Sequence, residues 1–111
     1  MEIYFHSKKL MKICSEKKEA VKAVGENNAG KLMQRLMELK AAHSLDDISN
    51  LPPARCHELT GNLKGHFSVD INKNYRLLFI PANDPIPKKN DGGFDKKRIT
   101  EIEVISIEDT H

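Results

Sequence analysis

The chain is 111 residues long, with 39% hydrophobic and 31% charged residues, which suits one globular domain over residues 1–111 with a single modest core and excludes a disordered chain. Net charge is +2, but residues 99–111 hold four acids and no Lys or Arg, leaving residues 1–98 at +6, so a basic body can bind a polyanion at one place and offer a carboxylate at another. No apolar run approaches the roughly 18 residues of a membrane span and no basic-then-apolar leader is visible, so no membrane partner is expected and the cytoplasm is the expected location.

Residues 2–6, EIYFH, predict a short strand. Ser7 can cap a helix that starts at Lys8. Apolar residues at 10, 13, 14, 20, 21 and 24 keep one helical face, and Gly25 supplies a stop. The opposite face collects Lys8, Lys9, Lys12, Lys17, Lys18 and Lys22. A second helix follows in NNAGKLMQRLMELKAAHS, with Asn28 as its candidate cap and Leu32, Met33, Leu36, Met37 and Lys40 at helical spacing; the methionines read as core filler. Ser44 and Asp47 form a capping box that predicts one helical turn, ended by Pro52 and Pro53. Cys14 and Cys56 stand outside any C-x-x-C motif or ligand spacing. Both are expected to be reduced, small and buried, with no metal and no cofactor.

The remainder reads as strands. Residues 55–59 can form one, and Phe67, Val69 and Ile71 alternate with His66, Ser68 and Asp70. Tyr75, Leu77 and Phe79 alternate with Arg76, Leu78 and Ile80. A two-residue turn would put Arg76 on the apolar face. A three-residue turn, Asn72 to Asn74, pairs Ile71 with Tyr75 and sets all the apolar residues on one face, so the hydrophobic pattern selects it. Asp70 then falls opposite Arg76, and Asn74 takes the left-handed conformation of the turn. Residues 82–98 form a long polar loop with five Lys and Arg against three Asp, more than a hairpin needs, so the segment is expected to be either mobile or a functional contact surface. The last strand, TEIEVISIED, is apolar at 102, 104, 105 and 107, as a central or bulged strand would be. The order of elements predicts an α+β sandwich: an N-terminal strand and two helices on one face of a small, mostly antiparallel sheet, with the face carrying His66, Asp70 and Arg76 left open.

Two segments, LPPARCHELTGNLKGHFSVDINKNYRLLF and the terminal IEDTH, resemble the RelE/ParE superfamily of bacterial toxin–antitoxin modules, closest to its HigB, or plasmid maintenance killer, branch. There a basic, histidine-containing strand leads into a G-x-x-x-G stretch. A hairpin with an Asn-aromatic-Arg turn follows, and the chain stops at Glu-Asp-Tyr-His. The resemblance implies a RelE-like fold and a toxin that cleaves mRNA on the ribosome without a metal. It also implies a cognate helix-turn-helix antitoxin, through which alone DNA would be contacted. By motif position the matching residues are His57, Asn74, Arg76, Asp109 and His111. Two positions depart from the pattern: Thr60 stands where these toxins often carry lysine, and Thr110 where they usually carry tyrosine.

The side chains suit that chemistry on their own terms. Cleavage by a 2′-OH needs a base, an acid for the leaving 5′-oxygen, and a cation for the phosphorane-like transition state. Arg76 fits the phosphate, because guanidinium grips two oxygens and stays charged. His57 and His111 fit proton transfer near neutral pH, and Asp109 can orient a histidine or take a proton. Arg55, Lys64 and His66 add positive potential for RNA, and Asn74 is a further candidate contact. Few exposed aromatics remain to stack on bases, so presentation of the mRNA by the ribosome is expected. Two alternatives stay open, given Thr60 and Thr110: a gyrase-inhibiting toxin of the same fold without nuclease chemistry, and an impaired relative that still binds its antitoxin.

Overall fold

The computed structural model describes residues 1–110; His111 lies outside the described residues. A five-stranded sheet runs in the order β1-β5-β4-β3-β2, with β1 Glu2–Phe5, β2 His57–Glu58, β3 Phe67–Asp70, β4 Tyr75–Pro81 and β5 Glu101–Asp109. Only the β1–β5 pair is parallel; the other three are antiparallel. Three helices, α1 Lys8–Ser15, α2 Lys17–Val24 and α3 Glu26–Ala41, cover one face. This is the expected α+β architecture with one more helix.

The extra helix comes from a break at Glu16, whose backbone is extended (φ −121°, ψ 119°). The apolar positions explain it. Cys14 and Ala20 are both buried, but a helix continuing from Cys14 would present Lys17 and Lys18 to the core one turn later. One extended residue resets the face. Ser7 caps α1 as expected, its Oγ accepting the Leu10 N–H at 3.1 Å. Gly25, at φ +86°, joins α2 to α3 in a conformation that side chains avoid. Asn28 caps nothing at the start of α3. It lies inside that helix and donates its Nδ2 to the Val24 carbonyl at 2.9 Å, closing the end of α2 instead. The turn at Ser44 forms as a 3-10 segment, Leu45–Asp47, without a hydrogen bond from the Ser44 side chain.

The core lies between the helices and one face of the sheet. Leu32 and Leu39 from α3 are buried there with Phe67, Val69, Leu77, Phe79, Ile102 and Val104. Phe67 and Phe79 face each other across β3 and β4, and their rings stack at 5.9 Å. The methionines divide: Met33 is half-buried against the core, whereas Met37 is 71% exposed, so Met37 is not the core filler its spacing suggested. Both cysteines are free and buried, and burial pushes the Cys14 thiol up to about 12 and that of Cys56 to about 11.

The β3–β4 register is the one the hydrophobic pattern selects: Val69 pairs with Leu77, Asp70 with Arg76, and the Ile71 N–H donates to the Tyr75 carbonyl. The turn itself is built differently. Among the described residues only Arg55 combines a side chain with positive φ, at +49°, so Asn74 is not left-handed. Asn72 does the work, its Oδ1 accepting the N–H groups of Asn74 (2.7 Å) and Tyr75 (2.8 Å).

β5 is both central and bulged. Phe79 pairs with Val104, but Leu78 pairs with Ser106, so Ile105 is the extra residue. The bulge follows from the apolar pattern. Strict alternation after Val104 would turn Ser106 and Glu108 inward; slipping one residue sends Ile107 opposite Leu77 on the core side and turns Glu108 out beside Arg76. The 82–98 loop is no loose excursion either. Phe94 packs on Phe67 at 5.5 Å between ring centroids, Lys88 lies over the Phe94 ring, and the segment ends in a 3-10 turn, Lys96–Arg98, before the fully buried Ile99. Among the described residues no helix is long and apolar enough to cross a membrane.

Candidate functional site

The face away from the helices carries three rows of side chains across the strands, by alternation from the observed register. Nearest the β3–β4 turn, Asp70, Arg76 and Glu108 lie side by side on β3, β4 and β5. The next row is His57, Ser68, Leu78 and Ser106. His66 belongs to the row beyond, with Ile80 and Glu103. The face is not open throughout. Ser68 and Leu78 are fully buried, so its centre is closed and its polar groups stand around that centre.

Asp70 and Arg76 are in register but do not pair through their side chains. Arg55 reaches the Asp70 carboxylate with both Nε (2.7 Å) and Nη2 (3.2 Å). Arg76 donates Nε (3.1 Å) and Nη2 (2.9 Å) to one oxygen of Glu108. The short strand expected over 55–59 therefore begins two residues late, because Arg55 turns through positive φ to face Asp70. Asp70 is fixed from three sides: its N–H donates to the Ala54 carbonyl, its carbonyl accepts Nε of the buried Arg35 at 2.8 Å, and its carboxylate takes Arg55. The same contact raises the Arg55 pKa, chiefly through the hydrogen bond to Asp70 and then its charge.

His57 is held at one of its two ring nitrogens. Its Nδ1 lies 2.9 Å from the Arg55 carbonyl. A carbonyl only accepts, so in the neutral ring Nδ1 carries the proton and Nε2 keeps a lone pair. His57 and Arg76 are two strands and two residues apart on one face, roughly 10 Å across the sheet and 7 Å along it, with the Arg76 guanidinium turned toward Glu108 on β5.

The other candidates are less well gathered. Asp109 pairs with Tyr75, so it is on the helix side of the sheet, at an exposed strand end, where it lines a groove with Ser7, Lys9 and Tyr75. It is not beside Arg76, because the residue that the bulge turns toward Arg76 is Glu108. Lys64 sits at the far end of the hairpin, in a surface pocket with Glu58, Lys88 and Phe94, away from the arginines. His66 is on the open face, and its buried Nδ1, like the Oγ of Ser68, has no hydrogen-bond partner among the described residues. Asn74 supplies its carbonyl rather than a free amide function to the local structure: it accepts the Thr110 N–H (2.6 Å) and Oγ1 (3.0 Å). That clasp pins the chain end against the hairpin turn, so the hydroxyl of Thr110 is already engaged. His111 lies beyond the described residues.

Sequence reasoning missed Glu108 and Arg35. Glu108 was hidden by the bulge, since its place opposite Arg76 depends on a one-residue slip. Arg35 stood at helical spacing between Leu32 and Leu39, where its burial was open to suspicion. Among the described residues no group of three or more His, Cys, Asp or Glu is placed to hold a metal.

Residues 4–89 match the family described as HigB-like toxin, the RelE-like toxin of type II toxin–antitoxin system HigB. Over 48 residues the chain is 44% identical to Toxin HigB-1 of Vibrio cholerae, an overlap of 43% of this chain and 50% of that one; the chain thus spans about half the length of this curated relative. Among solved structures it is similar to the YoeB/ParE toxin from Agrobacterium tumefaciens, with TM-score 0.60, 13% identity and complete coverage of both chains. It is also similar to a chain of the YoeB–YefM complex from Staphylococcus aureus, with TM-score 0.55 and 14% identity over 100% of this chain and 97% of the other. At these identities the structural likeness speaks for the fold.

Proposed function

The chain belongs to the HigB-like family of RelE-like toxins of type II toxin–antitoxin systems, and from that premise we propose that it is a ribosome-dependent endoribonuclease. The observation that carries this reading is the placement of Arg76 and of His57, with a lone pair on Nε2, on the sheet face away from the helices. Nε2 of His57 takes the proton of a 2′-OH. The 2′-oxygen attacks the adjacent phosphorus, and the guanidinium of Arg76 stabilises the charge gathered on the phosphoryl oxygens. The bond to the 5′-oxygen breaks, and that oxygen takes a proton from His111, the second histidine at a position that matches the family's motifs. Positioned acid–base groups contribute roughly 10²–10⁴ each to rate. Arg55, paired with Asp70, and Asp109, on the other face, are given no step.

The partner is proposed to be an antitoxin with a helix-turn-helix domain. The YoeB neighbours from Staphylococcus aureus, solved as complexes with YefM, support an antitoxin in general terms. A second reading, growth inhibition through gyrase without RNA chemistry, draws on Thr110, whose hydroxyl is spent on the Asn74 carbonyl. Primer extension on mRNA after induced expression separates the two. Cuts inside translated frames are expected; intact mRNA with loss of supercoiling would favour gyrase. Arg76→Ala should lower cleavage by two or more orders of magnitude while circular dichroism and solubility stay those of the parent. A variant that arrests growth as the parent does would remove Arg76 from the chemistry.

A further inference from the structure

We propose that Glu108 and Asp70 are built-in competitors for RNA phosphate: each occupies an arginine that a phosphate would take, so the site turns away free RNA and accepts a strand that is presented to it. The inference rests on the nuclease reading and explains where ribosome dependence would come from.

The geometry is that of phosphate binding with carboxylates in place. Arg76 gives Nε and Nη2 to one oxygen of Glu108, and Arg55 gives the same two nitrogens to the two oxygens of Asp70. The Nε–Nη2 edge of guanidinium is one with which it grips carboxylate or phosphate. Two cations and two anions side by side leave no net charge to draw in a polyanion, and β5, which carries Glu108, adds Glu103 and Glu101 farther along the same face. A free strand, whose affinity comes mostly from phosphate contacts and counterion release, gains little there. The pairs are nonetheless exchangeable. The side chains of Arg76 and Glu108 are 27% and 35% exposed, those of Arg55 and Asp70 53% and 20%, and part-exposed pairs of this kind are held weakly. A strand held in place at high effective concentration can displace them.

The test uses a short single-stranded RNA with 2′-O-methyl groups that block cleavage, its binding followed by fluorescence anisotropy over a range of KCl concentrations. Glu108→Gln and Asp70→Asn keep the side-chain shape and remove the charge. Each should tighten binding by about tenfold and steepen the dependence of log K on log[KCl] by about 0.7, the value for one released phosphate contact on a single strand. Glu103→Gln is the control. It removes the same charge from a carboxylate whose ion-pair partner is His6, at 3.6 Å, rather than an arginine, and it should change binding far less. Unchanged affinity and slope in both guard variants, or an equal gain in Glu103→Gln, overturns the proposal. If Glu108→Gln does not fold, Asp70→Asn tests the same idea at the second pair. Cleavage of ribosome-bound mRNA by the parent protein is scored separately: its absence removes the nuclease reading, whereas its presence with unaltered free-RNA binding removes only the competitors.

Discussion

Asn72 ties the β3–β4 hairpin to the helix layer through one side chain. Its Oδ1 closes the turn on the N–H groups of Asn74 and Tyr75, and its Nδ2 donates to Asn28 Oδ1, while Asn28 in turn holds the Val24 carbonyl. A hydrogen bond within a protein contributes about 0.5–1.5 kcal/mol net. Asn72→Ala, which forfeits three, should therefore destabilise the fold by about 2–3 kcal/mol, read as a lower urea midpoint. Asn74→Ala, which leaves its carbonyl in place for Thr110, should cost less than about 1 kcal/mol. Equal losses in the two variants would show that Asn72 does not organise the turn. The contrast between these neighbours was not legible in the sequence: both asparagines suit a turn, and only the path of the backbone decides which side chain points at which N–H.

The bulged strand positions the candidate site, and the long loop packs on the core at the far end of the β3–β4 hairpin. The bulge in β5 serves core and site together, packing the half-buried Ile107 against the core opposite Leu77 and delivering Glu108 to Arg76. The 82–98 loop, basic enough to suggest a partner surface, is anchored by Phe94 on Phe67 and by backbone hydrogen bonds between Lys89, Gly93 and Gly92 and from Asp95 to the Pro87 carbonyl. Phe94→Ala should cost about 2–3 kcal/mol, less than the roughly 3–5 of a fully buried phenylalanine because the ring is only half-buried. Amide exchange at Lys89 and Gly92 should speed up with it. Exchange as slow as in the parent would mean the loop holds its shape without that ring. The helix break at Glu16 belongs to this scale too. Its cause, two lysines where a continuous helix needs apolar residues, was present in the sequence and was overridden there by the longer apolar pattern.

Across the whole molecule, the helices and one sheet face enclose the core, and the two buried thiols inside it make stability depend on alkaline pH. Burial raises Cys14 to about 12 and Cys56 to about 11 from an ordinary 9.0. Below pH 9 both the folded and the unfolded chain hold these protons, and nothing is lost. Above it the unfolded chain releases protons that the folded one keeps, so stability falls as pH climbs toward the folded values. At pH 10 the loss is about 2–3 kcal/mol for the pair, at 1.36 kcal/mol per unit for each thiol. Urea midpoints at pH 8 and 10, compared with those of the Cys14→Ala/Cys56→Ala protein, isolate this from lysine titration. A double variant with the same alkaline slope would mean that the thiols do not carry it.

Alternation and helical spacing by themselves determined the fold class, the three-residue hairpin turn, the pairing of Asp70 with Arg76 in register and the face on which Arg76 stands. A strand's apolar residues can share one buried face in only one register, so burial enforces what the pattern encodes. Tertiary structure alone decided which charges meet. Arg55 takes Asp70, Arg76 takes Glu108, and Asp109 is carried to the other face, because side-chain pairing is set by a bulge, a left-handed residue and the path of neighbouring strands, none of which has a period that the sequence can display.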